Sequence, residues 1–213
     1  GGNLLLSKRP EMFLPDYWPT YFNKAKGINV WDLNNKKYID MIFAVGQSTL
    51  GYANSEIDQE VKKAINNGNM STLNTSEEVK LAQNLLKLHP WAGMTKFARS
   101  GGEANAIAIR IARAASKKDH VAICGYHGWH DWYLATNLQN ESNLSEHLLP
   151  GLAPIGVPKN LSGTTIPFQF NNFQQLLKIV DNNDLAAIKI PVIPVFLLRN
   201  GEGVHSPRKR HIL

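Results

Sequence analysis

The sequence predicts an α/β fold on a largely parallel sheet, from three observations. Short apolar runs at residues 121–124, 164–170 and 185–190 are separated by polar loops and a helical pattern. A strand-like segment at 96–98 runs through Ser100-Gly101-Gly102 straight into an apolar helix. Strands that alternate with helices need crossover connections, and these build parallel sheets.

The elements follow in order. Residues 28–41, INVWDLNNKKYIDM, read as two short strands about Asn34-Asn35, which tolerate positive φ. Residues 55–68 read as an amphipathic helix. Ser55-x-x-Asp58 resembles a capping box, Ile57, Val61, Ala64 and Ile65 share one face, and Gly68 suits the stop. Thr75-x-x-Glu78 opens a second helix with Val79, Ala82, Leu85, Leu86 and His89 at helical spacing, ended by Pro90. The helix at 103–116 is expected to bury Ala104, Ile107, Ala108, Ile111, Ala112 and Ala115. Residues 137–163 read as loop. Phe173, Leu176, Leu177 and Val180 form the last helix, between the strands at 164–170 and 185–190. Residues 191–213 carry three prolines and no helical period, and proline does not donate to a ladder.

Composition narrows the function classes. The chain has 213 residues, 43% hydrophobic and 19% charged, which excludes a disordered chain and allows one ordinary domain or two small ones. No apolar run is long enough for a membrane span, and GGNLLLSKRP is not a secretory signal. It lacks an initiator Met, which leaves a cut or processed start open. The single cysteine, Cys124, rules out a disulfide framework and fits a cytoplasmic location. Half of the net charge of +6 falls after Pro191, on Arg199, Arg208, Lys209 and Arg210 against Glu202. With no basic stripe interleaved with aromatics, no nucleic-acid partner is expected.

Two segments carry chemistry. In ARSGGEANAIAIRIARAA, residues 98–115, a glycine turn opens a helix. A helix N-terminus has unpaired N–H groups and a positive dipole end, and glycines admit an anion closely. Ser100 adds a hydroxyl. A plain βα turn uses the same residues, and neither a Walker lysine nor G-x-G-x-x-G is present. In CGYHGWHDWY, residues 124–133, aromatics cluster after a strand. Ligands of α/β folds bind there, and an aromatic can stack on a planar cofactor or simply pack beneath the loop. His127, His130 and Asp131 leave a metal-dependent hydrolase open, although the spacing is loose and no strong third-ligand pattern accompanies it. Cys124 reads as a buried strand residue and Lys189 as a strand-end residue.

Taken together, WDLNNKKYIDM, the Leu50-Gly51 turn, ARSGGEANAIAIRIARA and GYHGWHD resemble the class III aminotransferases of pyridoxal-phosphate fold type I. The branch that is most similar is that of glutamate-1-semialdehyde 2,1-aminomutase. The resemblance covers about residues 1–190 and only the amino-terminal part of the family fold. It implies a truncated large domain, with residues 1–70 as an amino-terminal hairpin and helix and 71–190 as the first part of the cofactor-binding domain. It implies pyridoxal 5'-phosphate, with Ser100, Gly101 and Gly102 on the phosphate, Tyr126 stacked on the ring and His127 following it. Gly102 stands where the family often has Thr or Ser. Gly51-Tyr52-Ala53-Asn54-Ser55 departs from the family's Gly-His-x-His-Pro. The implied reaction moves an amino group from a small-molecule donor to a keto or aldehyde acceptor, in a homodimer of the full-length parent.

The resemblance also sets negative expectations. The family's ring-nitrogen Asp lies in an Asp-Glu pair and its aldimine lysine commonly follows a glycine. The sequence contains neither Asp-Glu nor Gly-Lys. The chain is therefore expected to be inactive alone, a marginal fragment in which the strand at 96–99 lacks a neighbour. The alternative is a non-catalytic fragment with weak phosphate-ligand binding. A reading-frame error is expected to account for residues 191–213.

Overall fold

The computed structural model describes residues 16–69, 71–145 and 153–190, together with Lys8, Pro10 and Leu14. The chain divides into two compact units, residues 1–83 and 84–213, with the division inside one helix. The expected tail at 191–213 lies outside the described residues.

The first unit holds an antiparallel sheet of β1 (Phe22–Lys26), β2 (Asn29–Asp32) and β3 (Lys37–Ile39), in that order. The hairpin β2–β3 is the expected one. Asn35 takes the left-handed conformation at φ 62, and Asp32 receives the amides of Asn34 and Lys36 at 2.9 Å each. β1 was not expected. It carries no buried side chain, so no apolar alternation marks it. Its pairing with β2, from Phe22↔Asp32 to Lys26↔Asn29, makes it a strand.

α1 (Ser55–Asn66) corrects the expected cap by one residue. Asn54, not Ser55, is the N-cap, and its side chain accepts from Glu56 N at 3.1 Å and Ile57 N at 3.3 Å. The predicted apolar face of α1 buries no residue. α2 (Ser76–Leu88) follows as expected. The departure at residues 51–55 has a local account. Tyr52 bridges Gly27, its hydroxyl donates to Asp40, and Asn54 caps α1.

Burial, then the Asp40 carboxylate, push the Tyr52 phenol from 10.0 up to about 12. A folded-state value above the unfolded one gives a contribution that is complete below about pH 10 and is lost as pH rises toward 12. Tyr52→Phe removes that slope. Urea midpoints measured from pH 9 to 12 should fall less steeply for the variant, and equal slopes would refute the assignment.

Among the described residues, the buried hydrophobic side chains lie between Ile109 and Ile179, all in the second unit. Its sheet has the order β5-β4-β6, built from β4 (His120–Ile123), β5 (Thr165–Pro167) and β6 (Leu185–Lys189). Both pairings are parallel, with Val121 opposite Thr165 on one side and Ala187 on the other. Side chains alternate across a strand, and β4 feeds both faces. Val121 and Ile123 pack with Ile109 of α3 (Gly101–Ser116) and with Trp132 and Tyr133 of α4 (Asp131–Leu134). Ala122 and Cys124 pack with Phe168 and with Ile179 of α5 (Phe173–Asn182). A sheet covered on both faces by helices is the α/β architecture expected.

Three expectations need correction here. The segment 96–98 is not a strand, since no ladder reaches it among the described residues. α3 begins at Gly101, two residues early, because Ser100 caps it. The buried stripe of α3 also lies on the other side. Ile109 is buried, whereas Ala104, Ala108, Ile111 and Ala115 are exposed. The helix is apolar on two faces, and periodicity alone does not say which one meets the sheet. Among the described residues, no helix is long and apolar enough to cross a membrane.

Candidate functional site

The second unit brings the two chemistry-bearing segments together at the N-terminus of α3. Ser100 is extended at φ −139, and its Oγ accepts the amide of Glu103 at 3.2 Å. The Glu103 carboxylate reaches back to the amide of Arg99 at 2.9 Å. This reciprocal pair is a capping box displaced by one amide. It fixes the direction from which the chain enters the helix. The first-turn amides of Gly101 and Gly102 have no intrahelical partner, as at any helix start. The space that a side chain at Gly101 would fill is open.

The loop after β4 closes on this turn. Gly128 adopts φ +108, and a Cβ there would lie 3.2 Å from the Cα of Gly102. Asn105, one turn into α3, donates from Nδ2 to the His127 carbonyl at 3.1 Å. Only residues without side chains let the two backbones meet at Gly102 and Gly128.

Tyr126 and His127 point to different surroundings. Tyr126 is 38% exposed, and burial pushes its phenol up. Its ring stands edge-on to Tyr133, with centroids 5.9 Å apart. His127 is buried. Its Nε2 lies 2.8 Å from the Cys124 carbonyl, and its ring stacks on Trp132 and meets Tyr133 edge-on. His127 thus pins the loop from beneath, while Tyr126 keeps a solvent-facing surface. His130 stands apart from His127, over Gly102. Among the described residues no group of three metal-ligating side chains occurs. The Cys124 thiol is buried and pushed up, and burial lowers the Lys189 ammonium at the end of β6.

Sequence reasoning singled out Ser100, Gly101, Gly102, Tyr126 and His127 but passed over Asn105 and Tyr133, which hold the two segments. Asn105 was visible as the one side-chain amide in the first turns of the helix, GGEANAIAI. The arrangement sets the unpaired first-turn amides of α3, the kind of group that can accept an anion, beside a partly exposed aromatic ring.

Comparisons with known proteins agree on the family. The family described as aminotransferase class-III matches residues 15–193. The 3-aminobutyryl-CoA aminotransferase of Cloacimonas acidaminovorans is 31% identical over 96% of this chain and 45% of its own length. That match runs past residue 193, into the segment expected to be unrelated. The glutamate-1-semialdehyde 2,1-aminomutase of Wigglesworthia glossinidia brevipalpis is 34% identical over 91% of this chain and 44% of its own. The chain thus spans less than half the length of these relatives. Among solved structures, an omega-transaminase from Sphaerobacter thermophilus has the same fold over 80% of this chain and 40% of its own, at TM-score 0.68 and 24% identity. The FumI protein of Sphingopyxis sp. MTA144, solved in its PLP internal aldimine form, does so over 82% and 39%, at TM-score 0.67 and 24% identity. With a partial fold type I domain that carries the Ser-Gly-Gly turn and the aromatic loop side by side, the chain belongs to the class III aminotransferases.

Proposed function

We propose that the protein is a pyridoxal-phosphate-dependent transaminase or aminomutase of the glutamate-1-semialdehyde 2,1-aminomutase kind. It transfers an amino group between a small-molecule donor and a keto or aldehyde acceptor. The observation that carries this reading is the closure of the loop after β4 on the first turn of α3, through Gly128 on Gly102 and Asn105 on His127. The residues present fit the cofactor. The Gly101 and Gly102 amides and the Ser100 hydroxyl would hold its phosphate, with open space at Gly101 to admit it. Tyr126 would cover its ring, and His127 positions Tyr126 by anchoring the loop. Bound pyridoxal phosphate supplies an electron sink for moving the amino group.

On the same reading the longer protein is a cytoplasmic homodimer. The residues described here bind and orient, and none supplies the family's cofactor-bonding lysine. The 213-residue chain is therefore expected to bind the cofactor without turnover.

The test is equilibrium dialysis of the chain against pyridoxal phosphate and against pyridoxal. The phosphorylated form should bind at least about tenfold more tightly, since charge-assisted hydrogen bonds contribute roughly 1.5–3 kcal/mol. Ser100→Ala should erode that preference. Tyr126→Ala should weaken both ligands about three- to tenfold, because ring stacking does not involve the phosphate. Equal affinity of the unaltered chain for the two ligands would refute the reading.

A further inference from the structure

His130 holds the N-cap position of α4, yet its side chain makes no capping bond there. Its ring turns instead toward α3. Nε2 lies 3.2 Å, and Cδ2 3.4 Å, from where a Cβ on Gly102 would be. The ring meets Trp129 edge-on, with centroids 5.0 Å apart. Gly102 thus lacks a side chain at the place where the imidazole edge of another element has closed over it. The same glycine carries an unpaired first-turn amide. The backbone contact from Gly128 to Gly102 holds the loop that bears His130 at this distance.

We infer that His130 is a further phosphate-binding residue, which donates a hydrogen bond from Nε2 to the phosphate received at the Gly101 and Gly102 amides. This rests on the proposed cofactor. An imidazole supplies a donor from Nε2 in its Nε2–H tautomer or as imidazolium, and the glycine at 102 leaves room for it. His130 therefore does from the loop what a side chain on the helix turn itself would otherwise do. Gly102 and His130 form one unit, in which a side chain on the first displaces the ring of the second.

The experiment measures dissociation constants of the whole chain for pyridoxal phosphate and pyridoxal, for His130→Ala, His130→Gln, Gly102→Ala and the double variant H130A/G102A. His130→Ala should weaken pyridoxal phosphate about tenfold, the scale of one charge-assisted hydrogen bond, and leave pyridoxal unchanged. His130→Gln, which keeps an N–H donor at similar reach, should recover most of the loss. Gly102→Ala should weaken pyridoxal phosphate when His130 is present and add little once it is gone. If His130→Ala leaves both ligands unchanged, or weakens both equally with a lower melting temperature, the inference fails and the cofactor reading stands. If the unaltered chain does not prefer the phosphorylated ligand, the cofactor reading fails and takes the inference with it.

Discussion

Tyr133→Ala should remove about 3–5 kcal/mol of stability, the range for deleting a large buried aromatic side chain. Set against the roughly 5–15 kcal/mol of an ordinary domain, that loss brings the second unit near its unfolding threshold. Tyr133 is fully buried, and its ring meets Tyr126, His127 and Trp132 edge-on at centroid distances of 5.8–5.9 Å. Its hydroxyl donates to the Gly125 carbonyl at 3.2 Å, at the root of the loop. One side chain therefore joins the core around β4 to the loop that carries Tyr126. Tyr133→Phe keeps the ring and should cost only about 1 kcal/mol, the scale of one hydrogen bond. Denaturant titrations with near-ultraviolet circular dichroism separate the two. A loss below about 1 kcal/mol for the alanine variant would show that the ring is not the joint described.

Gly128→Val is the second large effect. A φ of +108 is unfavourable for any L side chain, at about 1–3 kcal/mol. The new Cβ would also press on the Cα of Gly102 at 3.2 Å, where backbone rather than a flexible side chain must give way. Overpacking of that kind adds about 1–3 kcal/mol. The loop then lifts from α3, and affinity for pyridoxal phosphate should fall with stability. Gly156→Ala is the control. It has φ +86 with nothing within 4 Å, so only the conformational cost of about 1 kcal/mol applies. Equal losses at the two glycines would remove the close approach as the cause.

These effects depend on contacts that sequence reveals unevenly. The hairpin β2–β3 was legible because Asn34-Asn35 specify the turn. β4 and β6 were legible because buried parallel strands read as short apolar runs. β1 was hidden because all of its residues are at least partly exposed, and α4 because four residues are too few to show a helical period. The face of α3 was misjudged because Ala104, Ala108, Ile111 and Ala115 form an apolar stripe as regular as the one that meets the sheet. At the site, Ser100 and the two glycines announced a helix start, while Tyr126 was singled out from the aromatics after the strand only by the family resemblance. The partnership of His130 with Gly102 joins residues 28 positions apart, and no local pattern encodes it.

The arrangement β5-β4-β6 also gives the sheet a direction of self-association. β5 is three residues long and ends on Pro167, which has no amide to offer, so that side is blunted against an incoming strand. β6 runs five residues, Leu-Ala-Ala-Ile-Lys, with β4 as its one neighbour among the described residues. Its outer row of backbone groups is a template, and its only charge, Lys189, sits at the far end. Concentrated solutions of this chain should add strand to strand on the β6 side. A charge placed at the middle of that edge is the substitution that keeps the chains apart.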